Sequence, residues 1–252
     1  MSITSFAIKF ASPLPQLESF ERYLFVGPHP DDIEIGAGAT AAKLVQSGKQ
    51  VAFLCCIDGR FGSETIAPEE LIGIRQKEAR ASAAALGVSD VRFLPFCDGG
   101  FYDVRELTDA IAAAVGEFKP DVILCPDPMV KSECHVDHLN VGRAASEIAY
   151  FAPYAGIMER HGASPAPVKA IAYFMTASPN RYVKTSKELL GRQLDAIFSC
   201  HKSQFPGSSG DAIKMYLKLR SASFGIRRLC AHAEGFRMLD TVRMHCLPEA
   251  GK

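Results

Sequence analysis

Neither sign of charge is in excess in this sequence. Its 252 residues carry 28 Lys+Arg against 28 Asp+Glu, a formal net charge of zero. A balanced chain offers no electrostatic footprint for nucleic acid or an anionic membrane. Long apolar runs are also missing. The apolar stretches are short and interrupted, so no transmembrane helix is expected. The N-terminal MSITSFAIKFASPLP lacks the continuous apolar core of a secretory signal, which points to a cytoplasmic protein. The eight cysteines include no C-x-x-C pair, which argues against a cysteine zinc module. Cys55-Cys56 lie within an apolar strand-like run and Cys125 ends another, as free thiols would. There is no internal repeat, low-complexity tract or linker. The length therefore reads as one large α/β domain over residues 1–252, with a core at about 22–175 and C-terminal helices and a capping segment at about 186–240.

What the sequence does have is concentrated between Tyr23 and Thr40, in YLFVGPHPDDIEIGAGAT. The apolar run Tyr23–Val26 reads as a buried strand. It breaks at Gly27-Pro28 and gives way to a small-residue helix start. His29, Asp31 and Asp32, with Glu34 two further on, thus fall where a strand passes into a helix. In open α/β sheets ligands bind at the carboxyl ends of the strands. Adjacent carboxylates are costly there unless a cation neutralises them, and the expected cation is a metal.

Strand-forming runs recur at Val51–Ile57, Val91–Phe96, Asp121–Cys125 and Ala170–Met175. Between them lie helical patterns at Gly36–Gln46, Pro68–Leu86, Val104–Phe118 and His135–Tyr150. Pro68 marks a helix start, and Gly48 and Gly87 mark stops. Leu107, Ile111, Ala114, Val115 and Phe118 keep the helical period. This alternation predicts βαβ units with right-handed crossovers. The expected fold is a Rossmann-like three-layer α/β/α sandwich with a mostly parallel sheet. Beyond residue 150 the pattern loosens. It predicts helices over Ser186–His201 and Asp211–Ser221, a turn-rich Ser203–Gly210, and a short capping segment over Glu234–Leu239.

A second cluster, His135-Val136-Asp137-His138, follows the fourth strand as the first cluster follows the first. In a doubly wound sheet those two strands commonly flank the topological switch point, so clusters over a hundred residues apart would converge. Two imidazoles and a carboxylate with an open fourth position form a catalytic zinc pattern, and a leftover acid can accept a proton from the activated water. Each cluster alone also fits a blander role. Asp-Asp before a helix is a common N-cap, and a single H-x-D-H has little specificity. Gly36-Ala37-Gly38-Ala39-Thr40-Ala41 fits G-x-G-x-x-A, with Asp58 near the place of a ribose-binding acid. A dinucleotide-binding oxidoreductase is therefore an alternative. That fingerprint needs its first Gly directly after the strand, however, and here PHPDDIEI intervenes.

HPDDIEIGAGAT resembles the signature of the PIG-L/LmbE-like family of zinc-dependent N-deacetylases, and His135–His138 resembles that family's second motif. Asp58-Gly59 with Gly62-Ser63, Arg75-x-x-Glu78, Asp98-Gly99, His201-x-Ser203-Gln204 and Ala233-Glu234-x-Phe236 agree, from about Tyr23 to Phe236. The resemblance implies a metal, Zn²⁺ with Fe²⁺ as the alternative, on His29, Asp32 and His138. It implies Asp31 as general base, His135 as oxyanion stabiliser or acid for the amine, and Asp137 as the residue orienting His135. Arg75 and Asp98 match positions near the substrate. The reaction implied is removal of an N-acetyl group from an amino sugar of the N-acetylglucosamine type. That chemistry needs a nucleophile at neutral pH, oxyanion stabilisation and an acid for a poor leaving group.

Three departures accompany the match: Ala39 for a common Gly, Glu133 for a usual Asp, and His232 where a Tyr often precedes Ala-Glu. Arg75 and Glu78 also fit a helical i,i+3 ion pair, and Asp98 a plain turn residue. Arg60, Arg75, Asp98 and His232 are the candidates for substrate recognition, and the two Arg predict an anionic group on the sugar. A non-catalytic metal- or sugar-binding module of the same fold is the remaining alternative, against which the acid/base set of Asp31 and His135 stands. The expected partner is a small-molecule substrate, with no nucleic acid and no integral membrane segment, and homo-oligomerisation is left open.

Overall fold

Tyr23–Val26 is the centre of strand β1 (Arg22–Gly27), and every residue of β1 after Arg22 is buried. A strand covered on both faces needs apolar side chains on both, which is why it reads as a continuous run and not an alternation. The computed structural model describes residues 10–245. The start of the N-terminal lead-in and Cys246 lie outside that range, and the seven described cysteines are free.

β1 pairs in parallel with β2 (Gln50–Ile57) on one side and β4 (Val122–Pro126) on the other. β3 (Asp90–Phe96) extends the sheet beyond β2, and β5 (Ala170–Phe174) extends it beyond β4, both in parallel. β7 (His232–Asp240) runs antiparallel to β5, and β6 (Arg181–Thr185) antiparallel to β7. The spatial order is β3-β2-β1-β4-β5-β7-β6. The strand order reverses between β1 and β4, so the switch point lies where the two His/Asp clusters leave the sheet.

The helices divide between the two faces, as the alternating side chains of β1 require. Tyr23 and Phe25 pack with Ile33 and Leu44 of α1 (Asp32–Gln46) and Ala83 and Leu86 of α2 (Pro68–Leu86). Leu24 and Val26 pack with Leu107 and Ile111 of α3 (Val104–Phe118) and Val141 and Ile148 of α4 (Val136–Phe151). The short α5 (Ala155–Arg160) adds Met158 to that second core. α6 (Lys187–Asp195) continues into a π-helical turn, Ala196–Cys200, and meets α7 (Asp211–Arg227) through Leu190, Leu194, Ile197 and Leu217. The three-layer α/β/α reading is thus what the chain adopts. Glu234–Leu239, expected as a capping segment, is an inner strand of the sheet; β6 and α5 were not anticipated.

α4 carries His138, and its placement depends on one close approach. A Cβ at Gly142 would lie 2.7 Å from the Pro126 carbonyl oxygen and 3.2 Å from Pro128 Cβ. In an exposed helix, Gly→Ala gains about 1 kcal/mol from propensity. Here the clash should reverse that sign and cost roughly 1–3 kcal/mol, as overpacking does. Chemical denaturation of Gly142→Ala checks it, and a stabilised variant would show that α4 does not sit this close to β4.

Candidate functional site

β1 ends at Gly27, and the chain turns into α1 within a few residues. Asp31 and Asp32 both donate their backbone N–H to the His29 carbonyl, at 3.0 and 3.3 Å. So tight a turn holds Asp31 at φ 153°, ψ −22°. Such conformations are uncommon for any residue with a Cβ, and Asp and Asn tolerate positive φ better than most. They collect at functional sites, where surrounding structure compensates the strain. On the neighbouring strand, β4 ends at Pro126, and a loop leads to His135, the N-cap of α4. His135 Nδ1 accepts the Asp137 backbone N–H at 3.3 Å.

The two clusters meet at one atom. Asp32 Oδ2 lies 3.1 Å from His29 Nδ1 and 3.3 Å from His138 Nε2. Bonds of about 2.0–2.2 Å in a tetrahedral zinc site place neighbouring donors about 3.3–3.5 Å apart, so these contacts already have nearly the spacing an ion needs. The other nitrogen of each ring is held by a carboxylate. His29 Nε2 meets Asp137 Oδ2 at 3.2 Å, and His138 Nδ1 meets Glu133 Oε2 at 3.0 Å. A carboxylate behind each imidazole is the usual support of a metal-ligating histidine. His135 adds a third imidazole, and donor atoms of His29, His135 and His138 all lie within 4.8 Å of one another. The residues present therefore fit a divalent metal.

The electrostatics follow from burial and pairing. Burial pulls the His29 imidazole down, but hydrogen bonds to Asp137 and Asp32 outweigh it and carry the group up to about 10. Burial pushes Asp32 up, yet His138 and His29 hold it well below the usual carboxylate range. Asp137 is likewise pushed up by burial and brought down to about 2 by His29, the Gly99 N–H and Tyr102. These are properties of the metal-free site. A divalent ion needs neutral imidazoles and ionised carboxylates, and binding it releases those protons. Asp31 behaves differently: burial raises it from 3.8 to about 6 against the pull of Arg75. Burial and the neighbouring His29 and His138 lower His135, which keeps it neutral.

A cavity of about 420 Å³ opens beside this cluster, lined by His29, Asp31, Phe61, Gly62, Arg75, Asp98, Gly99, Phe101, His135 and Gln204. Arg75 is buried, donating to Asp31 Oδ1, the Pro30 carbonyl and the Gly59 carbonyl, each at 3.2 Å. It is thus no i,i+3 partner of Glu78, which accepts instead from the Ser203 hydroxyl and N–H. Asp98 lines the wall and accepts the Gly59 and Phe61 N–H groups, both at 2.8 Å. Two expected substrate residues are not among the lining. Arg60 turns onto Asp58, two residues back, with Nη2–Oδ2 at 2.6 Å. His232 begins β7 opposite Thr185 of β6, on the outer part of the sheet.

Asp137 also differs from its expected role. Its Oδ2 is 3.7 Å from His135 Nδ1, which already accepts a backbone N–H. The Asp137 carboxylate supports His29 instead, and takes N–H bonds from Gly99 and Gly100 and the Tyr102 hydroxyl. Gly36 and Gly38 lie inside α1, not in a turn after β1, so the G-x-G-x-x-A match forms no phosphate cradle. Glu133, read from the sequence only as a departure, supports His138. Losing such a carboxylate typically costs about 10–100-fold in metal affinity. Glu133→Gln should show that loss in a zinc competition titration, while unchanged affinity would make the contact incidental.

Comparison with known proteins adds a family and several relatives. The model of the family described as GlcNAc-PI de-N-acetylase (PIG-L) matches residues 24–149. A diacetylchitobiose deacetylase of Thermococcus kodakarensis is 31% identical over 235 residues, 91% of this chain and 87% of that protein. A 1D-myo-inositol 2-acetamido-2-deoxy-alpha-D-glucopyranoside deacetylase of Kineococcus radiotolerans is 31% identical over 68% of this chain and 56% of its own length. Among solved structures, the N,N'-diacetylchitobiose deacetylase of Pyrococcus horikoshii, in complex with an inhibitor, superimposes with a TM-score of 0.88. That pair is 29% identical and covers 97% of this chain and 95% of the other.

Proposed function

This chain belongs to the PIG-L family of de-N-acetylases, and from that premise we propose that His29, Asp32 and His138 hold the metal while Asp31 and His135 act on the amide. The protein is a metal-dependent hydrolase that removes the N-acetyl group from an amino-sugar conjugate. The observation that carries the ligand assignment is Asp32 Oδ2 lying 3.1 Å from His29 Nδ1 and 3.3 Å from His138 Nε2.

Zinc, or iron as the alternative, suits two imidazoles and a carboxylate. Bound there, it supplies Lewis-acid chemistry and makes water nucleophilic at neutral pH. The chain's own residues do the rest. Asp31, held by Arg75 and raised by burial to about 6, faces the cavity as the base that takes the proton of the attacking water. His135 accepts at Nδ1, so its neutral ring carries the proton on Nε2. That N–H can donate to the oxyanion as the carbonyl becomes tetrahedral. Asp137 fixes the ring of His29, and Glu133 that of His138.

On the substrate, the anionic group expected from Arg60 and Arg75 loses its support. Arg60 is committed to Asp58 and Arg75 to Asp31. Diacetylchitobiose, the substrate named for the relative that matches over 91% of this chain, is neutral, and with the paired cations it favours a neutral acetamido sugar. Among the described residues no helix is long and apolar enough to cross a membrane. The free cysteines support placement in a reducing compartment, the cytoplasm. We read the chain as one domain, because a single seven-stranded sheet carries both clusters.

The test is elemental analysis of the purified protein together with amine release from N-acetylglucosamine and N,N'-diacetylchitobiose. Metal at about one per chain and amine release that a chelator abolishes are expected. Release insensitive to chelation would overturn the reading.

A further inference from the structure

Two large apolar side chains stand on the rim of the catalytic cavity with little to cover them. Phe61 is 59% and Phe101 80% exposed, and both line the cavity. Phe61 belongs to the loop after β2 and Phe101 to the loop after β3. An exposed aromatic at random is common, but two lining the same cavity as the catalytic candidates are of the kind that marks a ligand surface.

Neither loop is left free to place its ring anywhere. Asp98 Oδ2 accepts the Phe61 N–H at 2.8 Å, and Asp98 Oδ1 accepts the Gly59 N–H at 2.8 Å, tying the first loop to the second. Gly99 and Gly100, both at φ 78°, donate to Asp137, and Asp137 in turn holds His29. The Phe101 ring packs over Gly99, where a Cβ would lie 3.3 Å from it. The backbones that carry both rings are therefore held in a fixed relation to the metal cluster through one or two hydrogen-bonded carboxylates. The inner wall is polar and suits the acetamido ring being hydrolysed. The rim is apolar and aromatic.

We propose that Phe61 and Phe101 form the platform of a second sugar subsite, on which the neutral ring linked to the reacting acetamido sugar lays its C–H face. This rests on the deacetylase reading above and narrows its substrate class to neutral conjugates at least two rings long. The chemistry is that of any pyranose: hydroxyls leave its edge, while axial hydrogens make one face apolar. That face suits the electron-rich face of a phenyl ring. Among the described residues the one guanidinium lining the cavity, Arg75, is paired with Asp31, and the nearby Arg60 with Asp58, so neither is free for a phosphate or carboxylate.

The experiment compares kcat/KM for N-acetylglucosamine and N,N'-diacetylchitobiose on wild type, Phe61→Ala, Phe101→Ala and the two Phe→Tyr variants. Burying a phenyl face is worth enough to change affinity by about tenfold. The disaccharide-to-monosaccharide ratio should therefore fall by about tenfold in each Ala variant, through KM and not kcat. The Tyr variants, which keep the ring face, should restore it. A ratio unchanged in both Ala variants, whether both activities survive or both fall together, overturns the platform and leaves the deacetylase reading standing. Wild type that releases amine from neither sugar overturns that reading, and the subsite with it.

Discussion

Asp31→Asn should lose about 10²–10⁴-fold in kcat, the usual contribution of a general base, while keeping its metal and its fold. Asparagine is the informative substitution for three reasons. It cannot take a proton. Its carbonyl oxygen can still accept the bond that Arg75 Nη2 makes to Asp31 Oδ1 at 3.2 Å. It also tolerates the positive φ of 153° at this turn better than Ala would. Electrostatics favour a folded variant too. Burial raises the Asp31 carboxyl from 3.8 to about 6, so folding favours its neutral form. For such a group stability is present below the unfolded pKa and lost as pH rises through the folded one. A permanently neutral Asn retains that contribution at pH 7. The checks are steady-state kinetics, metal content and circular dichroism on the same preparation. A near-normal kcat would remove Asp31 from the mechanism.

The parts of this molecule that the sequence made legible are those whose residues answer to local rules. Pro68–Leu86 and Val104–Phe118 are helices with the boundaries their caps predict: Gly87 in the left-handed region closes one, and Asp103 accepting two N–H groups opens the other. β1, β2 and β4 were legible because they are buried on both faces and so apolar throughout. β6 and β7 were not. β6, RYVKT, is an edge strand with one buried residue, so little in it had to be apolar. β7 carries Glu234 and Arg237 within an otherwise buried strand. Those charges are satisfied by distant partners, Glu234 by the Ala39 and Thr40 N–H groups and Arg237 by Asp127. No local pattern announces such pairs.

The site divides the same way. His29, Asp31, Asp32, His135 and His138 could be placed together because each follows a strand end, and the topology of a doubly wound sheet brings those ends to one crevice. What each side chain then touches was beyond reach. Asp137 lies two residues from His135, and proximity in sequence paired them; in space its carboxylate belongs to His29, 108 residues away. Arg60 lies in a loop beside the cavity, but Asp58 two residues back captures it. Phe61 and Phe101 gave no signal at all, since an apolar residue in a loop carries none until the cavity beside it is known.

His29→Ala should lose its stoichiometric metal and with it essentially all turnover, and the paired variant His135→Ala decides between two ligand sets. The three imidazoles are close enough to form a site by themselves, with donor atoms within 4.8 Å. Asp32 competes with His135 for the third position. A ligating imidazole holds the ion in its own ring plane, because the nitrogen lone pair lies there. The rings of His135 and His138 are stacked, with centroids 4.8 Å apart and planes only 13° from parallel. Two stacked, nearly parallel rings cannot both hold one ion in their planes. His135 is also the exposed member of the three, with 46% of its side chain accessible. Asp32 is buried and already in contact with both other ligands. His135→Ala should therefore retain about one metal per chain while its activity falls. In His29→Ala the surroundings survive. The backbone N–H at position 29 still donates to Asp32 Oδ2, and Asp137 keeps Gly99, Gly100 and Tyr102. Loss of metal there would thus report a lost ligand and not a collapsed loop. Elemental analysis after dialysis against a weak chelator reads both variants. Metal retained in His29→Ala would remove His29 from the set, and metal lost in His135→Ala would transfer the third position from Asp32 to His135.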